Sequence, residues 1–227
     1  MNFYNLQKKK WPRSSCLLLW MLISKGQGGA DIKQSYTMKR LFCAVKVPLT
    51  PAIGEVLEVF RQELRHEDIK WVDPGNLHIT LKFFGETPMR DVAPIAQALQ
   101  LAAADSAPFS FRVEGCGTFG PDRQPRVIWL GIRDARPLIQ LSERVHHHLY
   151  PLGFEPEKRV FSPHLTIGRI RQIRDLATLN ALEGDFSEEH FATVEAGSFY
   201  LYESILKPGG PQYRIEQAFT LGEGHRA

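Results

Sequence analysis

The chain has 227 residues, enough for one large domain or two small lobes around a proper core. Its 43% hydrophobic and 23% charged content is that of an ordinary globular protein, and a net charge of +3 suits an anionic substrate without singling one out. Three widely spaced cysteines, Cys16, Cys43 and Cys116, exclude a disulfide framework and paired-cysteine metal spacing, so a reducing compartment is expected.

Residues 1–37 differ from the rest. Lys8, Lys9 and Lys10 precede an apolar run over residues 16–23, an order that imitates a secretory signal, yet the run is too short to span a membrane. Met38 opens a good strand, Arg40-Leu41-Phe42-Cys43-Ala44-Val45. The reading adopted is that Met38 is the functional start, with 1–37 a mis-called extension or disordered leader. A cytoplasmic protein without a membrane partner follows. Export is the competing reading, and the mass of the mature N-terminus separates the two.

From residue 38 the elements alternate. Residues 40–47 place Leu41, Cys43, Val45 and Val47 on one strand face. Thr50-Pro51 starts a helix, the hydroxyl capping and proline suiting the first turn. Asp73-Pro74-Gly75-Asn76 is a turn that launches a strand over 77–85, and Pro88 opens a helix to about 104. A strand near 109–116 follows. The order then repeats: strand 127–132, helix 136–152 ended by Gly153, strand 161–170, helix 176–182, strand 194–202, and a last strand 213–221 after Pro208-Gly209-Gly210-Pro211. The predicted fold is α+β, with two pseudo-symmetric lobes of antiparallel sheet, helices on their outer faces and a cleft between. The lobes are expected at 38–118 and 126–222 of a single domain 38–227, with 120–125 as the crossover.

The repeat carries a repeated motif. His78-Ile79-Thr80-Leu81 and His164-Leu165-Thr166-Ile167 fall in the third element of each half. Residues two apart on a strand point the same way, so His78 shares a face with Thr80 and His164 with Thr166, with aliphatic residues opposite. With eight histidines and nine threonines, chance yields roughly a third of a His-x-Thr match per such chain, and two matches in roughly one chain in twenty-five. A lone strand histidine is usually structural; a matched pair in equivalent positions calls for another account. One neutral imidazole takes a proton from water, one imidazolium gives a proton to a leaving oxygen, and threonine hydroxyls donate to oxygens where charge builds. In-line displacement at phosphorus needs one such group on each side. Which histidine is which stays open at this point.

These units resemble those of the two-histidine (2H) phosphoesterases. Arg40-Leu41-Phe42-Cys43-Ala44-Val45, Phe161-Ser162-Pro163-His164-Leu165-Thr166-Ile167-Gly168-Arg169, Leu201-Tyr202-Glu203-Ser204 and Gly210-Pro211-Gln212-Tyr213 resemble the bacterial RNA 2′,3′-cyclic phosphodiesterases, once named 2′-5′ RNA ligases. The resemblance covers essentially residues 38–222. It implies opening of a 2′,3′-cyclic phosphate on an RNA or oligonucleotide end to a 2′-phosphate, with no metal or other cofactor. It also implies that His78 is the proton donor to the leaving 3′ oxygen and His164 the base activating water. The departures are conservative, isoleucine at 167 and glycine at 168. The resemblance further implies that Arg169 contacts phosphate. A regular strand puts it on the wrong face, but Gly168 allows a bulge that turns it inward.

Two further readings are kept: joining of RNA ends through a 2′-5′ bond, and a nucleotide-binding module without turnover. A monomer is expected. Lys82 extends the His78 face, and Phe42 and Tyr202 are candidates for stacking on a base. His146, His147 and His148 point about 100° apart on a helix and cannot converge on a metal. Gly115-Cys116-Gly117 lacks the rest of a dinucleotide fingerprint.

Overall fold

The computed structural model describes residues 37–155, 160–208 and 210–222, so the leader reading lies outside the described residues. The described residues from Thr37 onward form one compact unit. Its strands are β1 (Met38–Lys46), β2 (Asp68–Trp71), β3 (His78–Pro88), β4 (Phe109–Phe119), β5 (Val127–Arg133), β6 (His164–Gln172), β7 (His190–Ala196), β8 (Ser198–Lys207) and β9 (Gly210–Thr220). The helices are α1 (Pro51–Glu63), α2 (Met89–Ala104), α3 (Arg136–Leu149) and α4 (Leu176–Asp185).

The strands form two antiparallel sheets, in the orders β3-β1-β8-β9 and β2-β6-β5-β4-β7. The α+β class therefore holds, but the chain halves are not the sheets. β2 and β4 come from the first half and join the second sheet, while β8 and β9 come from the second half and complete the first. The stretch 120–125 is no crossover, because Phe119 pairs with Val127 across a hairpin within one sheet. The division at 118/126 thus falls in the middle of a sheet. Antiparallel neighbours need only a short loop, and this loop is short.

Local signals explain the elements. Thr50 Oγ1 accepts from the Ile53 amide at 3.2 Å, with Pro51 in the first turn, and it donates to the Phe191 carbonyl at 3.1 Å. The α3 helix tightens into a 3-10 turn, Tyr150–Leu152, and stops at Gly153, whose φ of +87° suits glycine. Along β1 the predicted face, Leu41, Cys43, Val45 and Val47, is buried, yet Phe42 and Ala44 on the other face are buried too. A strand flanked by β3 and β8 and covered on both faces has no solvent side. One core joins both sheets to the helices, drawing Ile79 and Leu81 from β3 and Leu165 and Ile167 from β6. On the opposite face of the first sheet, Phe42, Ala44 and Tyr202 form a second, smaller cluster with Tyr200 and Tyr213.

Candidate active site

His78 begins β3 and His164 begins β6, and both line one cleft of about 240 Å³ with Thr80, Thr166 and Arg169. The alternation that puts these side chains in the cleft sends Ile79, Leu81, Leu165 and Ile167 into the core.

The two histidines are held in the same way. Nδ1 of His78 donates to the Asn76 carbonyl at 2.6 Å, and Nδ1 of His164 donates to the Ser162 carbonyl at 2.8 Å. A carbonyl can only accept, so each Nδ1 carries a proton and Nε2 is the position left for proton transfer. The Asn76 carbonyl is supplied by a 3-10 turn, Pro74–Asn76, whose start is fixed by Asp73 Oδ1 accepting from the Gly75 amide at 2.7 Å.

Each imidazole also meets an aromatic ring edge-to-face. Tyr213 stands 5.4 Å from His78 at 87°, and Phe119 stands 4.8 Å from His164 at 89°. Phe42 underlies His78 at 5.0 Å and stacks on Tyr202 at 5.1 Å. On the other side Phe119 leans on Trp129 at 5.3 Å, and Trp129 lies against Gly117, where a Cβ would fall 2.5 Å from the indole. Phe42 and Tyr202 are thus buried supports rather than open stacking faces, at 2% and 7% exposure. The exposed ring at the cleft is Phe83, which touches Phe42 at 5.8 Å.

The β6 strand is bulged where Arg169 needs it. Trp129 pairs with Thr166 and Ile128 with Gly168, leaving Ile167 as the extra residue. Ile167 and Gly168 are consecutively buried, and Arg169 returns to the face of His164 and Thr166. Gly168 has a packing reason as well: a Cβ there would sit 3.0 Å from the Trp71 ring. The β3 strand repeats the device, since Ala44 pairs with Thr80 and Cys43 with Lys82, skipping Leu81. Lys82 therefore does not extend the His78 face. It falls in register with core-facing Cys43, is buried, and reaches the cleft wall from there. Phe83 takes the position in β3 that Arg169 takes in β6.

Electrostatically, burial pushes the His78 pKa below the ordinary histidine value; the Asn76 carbonyl pulls upward, and the charges of Arg169 and His164 push down again. Burial raises the Tyr213 phenol, against the pull of Arg169 and Arg40, so it stays neutral. The thiols of Cys43 and Cys116 are pushed up to about 12 by burial, which makes them poor nucleophiles. His146, His147 and His148 sit on α3, where His148 Nε2 meets Asp105 Oδ2 at 2.7 Å, and none lines the cleft. Among the described residues, no three His, Cys, Asp or Glu side chains gather as metal ligands, and no helix is long and apolar enough to cross a membrane.

Sequence reading missed Phe119, Tyr213 and Phe83. Tyr213 carried a signal, since it stands in the Gly210-Pro211-Gln212-Tyr213 segment that carries the family resemblance. Phe119 carried none, because its role depends on the β4–β5 hairpin.

Comparison with known proteins agrees with this geometry. The family described as LigT like Phosphoesterase matches twice, over residues 47–129 and 130–213, each stretch containing one His-x-Thr unit. A protein of Archaeoglobus fulgidus named RNA 2′,3′-cyclic phosphodiesterase is 36% identical over 181 residues, covering 79% of this chain and 99% of its own. One of the same name from Methanocaldococcus jannaschii is 34% identical over 176 residues, covering 78% and 97%. Among solved structures, TT0787 of Thermus thermophilus is 27% identical with a TM-score of 0.67, covering 82% of this chain and 100% of its own. Apo E. coli LigT is 25% identical with a TM-score of 0.58, covering 82% and 99%. The chain belongs to the LigT-like 2H phosphoesterase family.

Proposed function

We propose that the chain hydrolyses RNA 2′,3′-cyclic phosphate ends to 2′-phosphomonoesters by two-histidine acid–base catalysis without a metal. The observation that carries this reading is the matched anchoring of His78 and His164, each through Nδ1 by a carbonyl two residues back, which makes Nε2 the proton-transfer atom of both. The names of the curated relatives support the substrate class.

His164 Nε2 takes a proton from water as its oxygen bonds to phosphorus, and the P–O3′ bond breaks. The proton on His78 Nε2 passes to O3′, leaving the phosphate on O2′. Thr80, Thr166 and Arg169 hold the non-bridging oxygens as charge builds on them. The assignment of donor to His78 and acceptor to His164 rests on family resemblance. Burial holds His78 toward its neutral form. A bound phosphodiester brings a negative charge that works in the opposite direction, coupling protonation of the donor to binding.

Incubation with an oligonucleotide bearing a 2′,3′-cyclic phosphate, in excess chelator, tests the reading. A 2′-phosphate product formed at the rate seen without chelator is expected; a 3′-phosphate product or loss of activity in chelator contradicts it.

A second reading, joining of RNA ends through a 2′-5′ bond, has one observation in its favour. A further pocket of about 220 Å³ opens beyond His164, past Phe119 and Trp129. Water occupies about 30 Å³, so the nucleophile side has room for a ribose hydroxyl and its nucleoside. Comparing RNA ends with cyclic mononucleotides as substrates discriminates the two.

A further inference from the structure

On the far side of Arg169 and Tyr213 the cleft continues into another pocket, of about 230 Å³, whose wall includes Lys70, Trp71 and Asn76. Lys70 and Arg169 are register partners across the β2–β6 ladder, so they project from one face as direct neighbours. Opposed like charges in a sheet cost stability, and such a pair is expected to have an anion or a carboxylate between its members. Neither cation has an ion pair with a described residue among those the structure records. The pocket's carboxylate, Asp73, is turned to the Gly75 amide. The Lys70 amine lies along the Gly210 turn, 3.4 Å from where a Cβ at 210 would stand. Tyr213 adds ring surface to the same wall. Cations beside an aromatic ring are chemistry that suits single-stranded nucleic acid, the charge following the backbone and the ring meeting a base.

We infer that this pocket binds the nucleotide preceding the cyclic end, with Lys70 contacting the phosphodiester attached to the terminal ribose 5′ oxygen. Arg169 lines both pockets, so it stands between the reacting phosphate and that neighbour. The inference rests on the proposed cyclic-phosphate reaction and makes the preferred substrate an oligonucleotide rather than a mononucleotide. Lys70 is exposed and packs in no core, so its replacement leaves the fold intact.

The test compares kcat/KM of the full chain for adenosine 2′,3′-cyclic phosphate, for the dinucleotide ApA ending in a 2′,3′-cyclic phosphate, and for that dinucleotide with a neutral methylphosphonate linkage. The dinucleotide is expected to exceed the mononucleotide by roughly tenfold or more, the scale of a charge-assisted hydrogen bond. The methylphosphonate loses most of that gain, as do Lys70→Ala and Lys70→Gln, while both variants turn over the mononucleotide at the unchanged rate. A dinucleotide with no advantage, or an advantage that survives both the neutral linkage and Lys70→Ala, overturns the inference and leaves the catalytic reading standing. Absence of turnover on all three substrates overturns the catalytic reading, and the inference falls with it.

Discussion

Arg169 and His164 share one face of β6 although Arg169 lies five positions on, because Ile167 is left unpaired opposite β5. The bulge gives the cleft a cation without interrupting the core, since Ile167 and Ile170 both stay buried. Replacing Arg169 by alanine is therefore expected to lower kcat/KM by about one to two orders of magnitude, the scale of a lost charge-assisted contact. Arg169→Lys restores only part of it, since lysine lacks the two-pronged geometry. Steady-state kinetics beside a thermal melt checks this, with Tm expected to stay within a few degrees of the wild type.

The pH dependence follows from His78. Burial, with the charges of Arg169 and His164, holds its pKa below the ordinary value of about 6.5. On the proposed reading His78 enters the reaction protonated, so the fraction of competent donor falls as pH rises through that pKa. Ring-proton NMR of the free protein, where His78 is expected to titrate below about 6.5, reads that pKa apart from the alkaline limb of kcat/KM. In kcat the limb moves to higher pH, because bound phosphate favours the imidazolium. Both limbs belong to the coupled pair rather than to one group. A His78 imidazole that titrates above the ordinary histidine value in the free protein contradicts the effect assigned to its burial.

How much of this was readable from the chain depends on range. The His-x-Thr faces needed only the two-residue strand period, and the Thr50 cap and Gly153 stop needed only neighbours a few positions away. Sheet membership did not yield to such reasoning. β2 is a four-residue edge strand, Asp68-Ile69-Lys70-Trp71, with no long alternation to announce it. Its pairing with β6 and the return of β8 to β1 are choices between distant segments, made by the core as a whole. Lys82 was misplaced for a related reason. The unpaired Leu81 shifts it off the His78 face, and only the partner strand reveals that. Phe42 looked available because alternation put it opposite the core, but Tyr202 and Tyr213 cover it.

On the proposed reading the edge-to-face rings position the imidazoles rather than hold the phosphate. Phe119→Ala is expected to cut kcat several-fold with little change in KM, in keeping with about 0.5–1.5 kcal/mol for an aromatic pair. Phe119→Tyr or Phe119→Trp should recover most of it. A variant whose KM rises with kcat unchanged would instead make Phe119 a substrate contact.

Along β6, core and chemistry alternate residue by residue, so stability and activity should separate. Leu165→Ala empties a fully buried site and is expected to cost about 2–5 kcal/mol in urea unfolding. Thr166→Val keeps the shape, leaves stability within about 1 kcal/mol, and removes the hydroxyl that faces the cleft. Its kcat should fall roughly tenfold or more, measured on the same preparation used for the unfolding curve.

The most direct test of paired acid–base action is single-turnover cleavage of a 2′,3′-cyclic phosphate substrate by His78→Ala, His164→Ala and the double variant. Each single variant is expected to lose roughly 10²–10⁴-fold, and the double variant little more than the worse single one, because the two groups act in one step. Near wild-type cleavage by either single variant would contradict the account.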